Sequence, residues 1–199
     1  MQIHNLFPTQ VGEYQVDDED LLSTLRNHLD HERTINYEEQ PYSIRGKTSH
    51  HTRNDLASLD CDWSRKLRAL IIKVANEWYT EVYGRPLPED QVEVMCWGMI
   101  MSEGDYSQVH SHPGSDACGV LWLHNPPEHD GDGGSPREGN LVLMDPVHCR
   151  RSTHPTYVHV DVPPRVGYGL VFHNWLEHYV EPFFGEGDRF SIAWNVTRR

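Results

Sequence analysis

Long apolar runs are missing from this sequence: none approaches the roughly 18 consecutive residues that a membrane-spanning helix needs. The opening Met1-Gln2-Ile3-His4-Asn5 lacks the basic stretch and apolar run of a secretory signal, so a soluble, unexported, cytoplasmic chain is expected. Cysteine is scarce and dispersed. Cys61, Cys96, Cys118 and Cys149 show no C-x-x-C spacing, and Cys96 and Cys118 sit inside apolar runs. This predicts buried free thiols in a reducing compartment and excludes a disulfide framework. Basic residues are in deficit, 17 against 30 acidic ones, for a net charge of −13. Such a surface repels phosphate backbones, which argues against general nucleic-acid binding while leaving room for a local basic pocket. Apolar residues make up only 37%, but six Trp, nine Tyr and five Phe can fill a core with large rings.

A chain of 199 residues suits one domain. Its first third reads as helical. Asp17-Asp18-Glu19-Asp20 precedes Leu21, Leu22, Leu25 and Leu29, placing acids where a helix N-terminus favours them. Residues 62–83 carry Trp63, Leu67, Leu70, Ile71, Val74, Trp78 and Val82 at helical spacing, with Asp62 as the expected N-cap and Gly84 with Pro86 as the stop. Residues 33–58 are polar and show no period. From residue 91 the texture changes to strands at 92–101, 117–123, 140–144, 156–162, 169–173, 179–183 and 189–196, separated by Gly, Pro and Asp clusters. Within 156–162, Thr156, Val158, Val160 and Val162 are expected on one face. Many short strands with turns between them predict a mainly β fold, a jelly-roll barrel with helices packed outside. The expected division is a helical support region over 1–90 and a jelly-roll core over 91–199. Residues 128–138, rich in Gly and Pro, read as a loop over one mouth of the barrel.

The chemistry concentrates in the run Gly104 to Gly114. At a strand end, His110 and His112 are two apart and project from one face, where they can ligate Fe(II), Zn(II) or Cu(II). The best third ligand is His178, in Trp175-Leu176-Glu177-His178, just before a strand and ahead of Arg189. His124, His129, His148, His154, His159 and His173 read as surface or loop residues, His173 with the option of lining the site. Trp97, Trp122, Trp175 and Trp194 read as core rings, and Asp145-Pro146 as a strand-ending turn.

Four ordered elements carry a resemblance: His110-Ser111-His112-Pro113, Asp145-Pro146, Trp175-Leu176-Glu177-His178 and Arg189-Phe190-Ser191-Ile192-Ala193-Trp194-Asn195. With Leu6-Phe7-Pro8-Thr9 at the start, the chain resembles the 2-oxoglutarate/Fe(II) oxygenases, a superfamily built on a double-stranded β-helix, and in particular a bacterial and phage branch with an H-x-H-P segment. The resemblance is dense from Gly104 to Asn195 and thin between Val11 and Asp90. It implies Fe(II), 2-oxoglutarate and O2 as the reaction's requirements, with hydroxylation of a C–H bond of a small-molecule or peptide substrate as the outcome. Carried over by position, His110 and His178 are metal ligands, Arg189 pairs with the distal carboxylate of 2-oxoglutarate, and Ser191 adds a hydroxyl. A guanidinium suits that task through parallel charge-assisted hydrogen bonds. Tyr106 is a further candidate for contacting the cosubstrate. One departure stands out: most of the superfamily places an acid where this chain has His112. His112 is preferred as third ligand, with Asp116 as the fallback carboxylate. Two other readings remain open, a cupin-type metalloprotein on Gly104, His110 and His112, and a non-catalytic jelly-roll module. A homodimer is the default for a soluble enzyme.

Overall fold

A computed structural model describes residues 1–2, 8–35, 38–40, 44–88, 91–126, 138–147 and 159–199. Local signals set both helices. Helix α1 (Glu19–Glu32) starts at Asp18, whose carboxylate accepts the Leu21 N–H at 2.9 Å, and it buries Leu21, Leu22, Leu25 and Leu29. Helix α2 (Asp62–Tyr83) matches the apolar stripe, burying Leu67, Ile71, Val74 and Trp78. Its cap differs from expectation. Cys61 holds the N-cap position in extended backbone without a side-chain hydrogen bond, and Asp62, one residue inside, pairs with Arg65 at 2.6 Å. Gly84 ends the helix at φ 69°, a left-handed conformation that costs glycine little, and its N–H donates to the Thr80 carbonyl.

Eleven strands are found among the described residues. Three lie in the part expected to be helical: β1 (Val11–Gln15), β2 (Glu38–Gln40) and β3 (Ile44–Thr48). The other eight are β4 (Val92–Met101), β5 (Tyr106–His110), β6 (Ala117–His124), β7 (Leu141–Met144), β8 (His159–Val162), β9 (Tyr168–Phe172), β10 (His178–Val180) and β11 (Arg189–Arg198). They form one sheet in the order β1-β9-β6-β11-β4-β3-β5-β10-β7-β8, with β2 beside β3. Their pairings are antiparallel. The sheet curls until β5, β7 and β10 face β4, β6 and β11 across a cavity, giving the double-stranded β-helix with flanking helices. Short polar strands such as β1 and β3 owe their place to partners far away in sequence, β9 for the first and β4 and β5 for the second, so no local period announces them.

Alternation sorts each long strand between two cores. On β11, Phe190, Ile192, Trp194 and Val196 face the helices, joined there by Val92, Val94, Cys96 and Ile100 of β4. The intervening residues, Arg189, Ser191, Ala193 and Asn195, line the cavity. A second cluster, with Trp122, Tyr168, Leu170 and Phe172, surrounds the cavity from within the curl. At about 1.5–3 kcal/mol per fully buried large side chain, the helix-facing cluster is what holds the curl closed from outside. Gly119 allows one close approach: a Cβ there would run into the Trp194 ring and the Leu170 carbonyl. Val160 lies 62% exposed, because β8 ends the sheet and its outer face has no covering element among the described residues. Residues 3–7, 127–137 and 148–158 are outside the described residues, and with them most of the expected mouth loop, the start of the expected strand at 156–162, Cys149, His129, His148 and His154.

Candidate metal centre

A cavity of about 400 Å³ opens inside the curl. His110 ends β5, His178 begins β10, and the two face each other directly in the β5–β10 ladder. A bulge aims His110 inward. Two steps along β10 span three along β5 (His178 against His110, Val180 against Ser107), so Ser107 and His110 both face the cavity despite their odd separation. His112 lies just beyond the strand, tied by its N–H to the Asn174 carbonyl at 2.8 Å. The structure brings the three rings together: one nitrogen from each lies within 4.8 Å of the others.

The hydrogen bonds define which nitrogen is available. His110 Nδ1 meets the Gln108 carbonyl at 2.8 Å, His178 Nδ1 the Leu176 carbonyl at 2.8 Å, and His112 Nδ1 the Asn195 Oδ1 at 2.9 Å. A carbonyl oxygen only accepts, so each Nδ1 carries the proton and each Nε2 keeps a lone pair. The Nε2 atoms of His112 and His178 then sit 3.3 Å apart, two acceptors facing one another. A cation between them converts that repulsion into ligation. Burial pushes His178 down to about 3 and His112 down to about 4, with the neighbouring His110 adding to both shifts. Burial lowers His110 as well, against the opposing effect of the hydrogen bond it donates to the Gln108 carbonyl. Neutral imidazoles are the ligand-competent form. Trp97 and Phe172 brace the cluster, the first stacked on His112 at 5.9 Å and the second edge-on to His178 at 4.9 Å.

Arg189 and Ser191, both buried, line the same cavity. The guanidinium donates through Nη1 to the Gly139 carbonyl and through Nη2 to the Met101 sulfur at 3.3 Å, and its buried Nε has no partner among the described residues. Among the described residues it has no carboxylate partner. Burial lowers it to about 10. A buried cation with neutral neighbours and an unused donor is a place for an anion.

Two candidates fall elsewhere. Asp116 is held by Arg198, with Oδ1 at 2.8 Å from Nε and 2.6 Å from Nη2, and it does not line the cavity. Tyr106 pairs with Arg45 and does not line it either, since the strand turns its neighbour Ser107 inward instead. His173 lies in the loop after β9 but not at the surface, and it does not line the cavity: it is buried, edge-on to Trp78 at 4.8 Å and 3.1 Å from Gln10 Oε1. Of the tryptophans, Trp194 is a core ring, Trp97 and Trp122 are buried but wall the cavity, and Trp175 is 48% exposed. Asp145 makes the expected turn, accepting the Val147 N–H at 2.8 Å. Sequence reasoning missed His50 and His51, which reach the cavity from the turn after β3, and gave Asn195 no role although it closes the Arg189–Asn195 element. Only the insertion of β3 next to β4 could have announced the first two.

A family model described as "Putative 2OG-Fe(II) oxygenase" matches residues 95–195, a span that holds the three histidines, Arg189, Ser191 and Asn195. No curated protein matches the chain by sequence. Among solved structures, the chain is similar to a prolyl-4-hydroxylase from Pseudomonas putida, with TM-score 0.68 and 14% identity over 96% of this chain and 94% of that one. It is similar to HygX from Streptomyces hygroscopicus, solved with nickel and 2-oxoglutarate bound, with TM-score 0.64 and 14% identity over 96% and 83%. A prolyl hydroxylase from Trichoplax adhaerens, in complex with a peptide fragment of the hypoxia inducible factor oxygen degradation domain, gives TM-score 0.62 and 15% identity over 94% and 83%. These likenesses fix the fold as the one such enzymes share, and the family match goes further: the chain belongs to the 2OG-Fe(II) oxygenase family, enzymes that work with iron and 2-oxoglutarate.

Proposed function

We propose that this oxygenase hydroxylates an unactivated C–H bond of a small-molecule or peptide substrate, with His110, His112 and His178 holding Fe(II) and with Arg189 and Ser191 anchoring 2-oxoglutarate. The observation that carries the proposal is the pairing of two unsatisfied features in one cavity. Three imidazole nitrogens converge at one place in it, and a buried guanidinium with no carboxylate partner among the described residues stands in its wall. A metal answers the first and the distal carboxylate of a keto diacid answers the second. When bound, iron with 2-oxoglutarate and O2 supplies the oxidising chemistry of the family.

The chain's own residues orient and shield. Gln108, Leu176 and Asn195 fix the imidazole tautomers through their oxygens. The Arg189 guanidinium can give parallel hydrogen bonds to a carboxylate, and Ser191 one more. Trp97, Trp122 and Phe172 keep the walls dry. Free thiols at Cys61, Cys96 and Cys118 support a reducing compartment such as the cytoplasm. No helix of the described residues is long and apolar enough to cross a membrane.

The test is turnover of 2-oxoglutarate by the purified full chain with Fe(II) under air. Succinate and CO2 are expected, and both should disappear in His178→Ala. Absence of both products together with no measurable 2-oxoglutarate binding would sink the proposal.

A further inference from the structure

Arg189 Nε is not the cavity's only orphaned donor. The indole Nε1 of Trp122 is also buried and has no hydrogen-bond partner among the described residues. The same is true of the Trp78 indole, but Trp78 belongs to the helix-facing core, whereas Trp122 lines the cavity with Arg189 and Ser191. The β6–β11 register places Trp122 directly opposite Ser191. Directly opposed residues of an antiparallel pair leave the sheet on the same face, so Trp122, Ser191 and Arg189 flank one stretch of wall. The ring is held in place, 1% exposed and stacked on Tyr168 at 5.9 Å and 7°. Tyr168 is in turn covered by the Arg165 guanidinium, 4.1 Å from its ring centre.

We propose that Trp122 Nε1–H is a third donor to the distal carboxylate of 2-oxoglutarate, completing a cradle with Arg189 and Ser191. The proposal rests on the assignment of that carboxylate to Arg189. An indole N–H donates and cannot accept, and an ionised carboxylate accepts and cannot donate. A carboxylate offers about four lone-pair sites, enough for a guanidinium, a hydroxyl and an indole at once. The cradle is therefore a selectivity device: a keto acid lacking the second carboxylate leaves three buried donors unsatisfied.

Trp122→Phe removes the N–H and keeps an aromatic ring, and Arg189→Met serves as the reference. Each full-length protein is loaded with redox-inert Ni(II) and titrated calorimetrically with 2-oxoglutarate. In parallel it is titrated with 2-oxopentanoate, which carries a methyl group where the distal carboxylate would be. Trp122→Phe is expected to weaken 2-oxoglutarate about tenfold, the scale of a hydrogen bond to a charged group, and to leave 2-oxopentanoate within about twofold of the unsubstituted chain. Unchanged 2-oxoglutarate affinity in Trp122→Phe, alongside weakened binding in Arg189→Met, overturns the Trp122 role and leaves the Arg189 assignment standing. Unchanged affinity in both variants overturns both. Equal weakening of the two keto acids in Trp122→Phe marks a loss of cavity shape and overturns the hydrogen bond.

Discussion

Arg189→Met separates stability from function because it removes a buried charge whose partner, on the proposed reading, arrives only with the cosubstrate. Burial lowers the guanidinium from 12.5 to about 10. At about 1.4 kcal/mol per pH unit, that corresponds to about 3 kcal/mol of destabilisation carried by the ligand-free protein. Methionine fills much of the same volume without the charge. The Gly139 carbonyl then loses its donor, which costs about 1–2 kcal/mol, and the contact with the Met101 sulfur is lost too. The net expectation is a ligand-free variant more stable by about 1–2 kcal/mol, or roughly 2–8 °C in Tm for a chain of this size. Replacement of buried ions by apolar residues has this sign elsewhere. Ligand reverses the order. At a hundredfold excess over Kd, 2-oxoglutarate stabilises the unsubstituted Ni(II)-loaded protein by about 2.7 kcal/mol and the variant by little. Scanning calorimetry of both proteins with and without 2-oxoglutarate should show the two Tm values crossing. A ligand-free Arg189→Met that melts several degrees below the unsubstituted chain, and still gains the full shift with 2-oxoglutarate, would refute the reasoning and make Arg189 a structural residue.

Asn195→Ala removes the acceptor that orients His112 and should weaken metal binding about 10- to 100-fold, measured by competition with a chromogenic chelator; unaltered affinity would deny Asn195 that role. Asp116→Asn should leave metal stoichiometry unchanged and cost under about 1 kcal/mol, since its pair with Arg198 is partly exposed; loss of metal would return Asp116 to the ligand set. Gly119→Ala drives a methyl group into the Trp194 ring and the Leu170 carbonyl and should destabilise by about 3 kcal/mol, read as a lower urea midpoint; an unshifted midpoint would mean the helix-facing core yields there more easily than its packing implies.

The tryptophans mark the limit of reading side chains from type alone. Trp97, Trp122 and Trp194 share apolar character and deep burial, yet the first two wall the site and the third packs under the helices. Burial follows from chemistry, but the face a ring occupies follows from the parity of its position on a strand. Parity can be assigned only once the strand and its bulges are known.

What the sequence determined by itself are the features written in near neighbours. Helix α2 was legible because its apolar stripe and glycine stop act within a few residues, and β11 because its alternation runs unbroken from Arg189 to Val196. The ordered elements around His110, His178 and Arg189 were legible for the same reason. Tertiary structure alone decided the rest. It paired His110 with His178 across a bulged ladder, inserted polar β3 so that His50 and His51 reach the cavity, and gave Asp116 to Arg198. It also left the Arg189 guanidinium without an acid among the described residues. The physical reason is range: helix stops and strand periods are set by torsions and contacts a few residues apart, whereas a ligand set and an empty cradle exist only where distant strands close on one another.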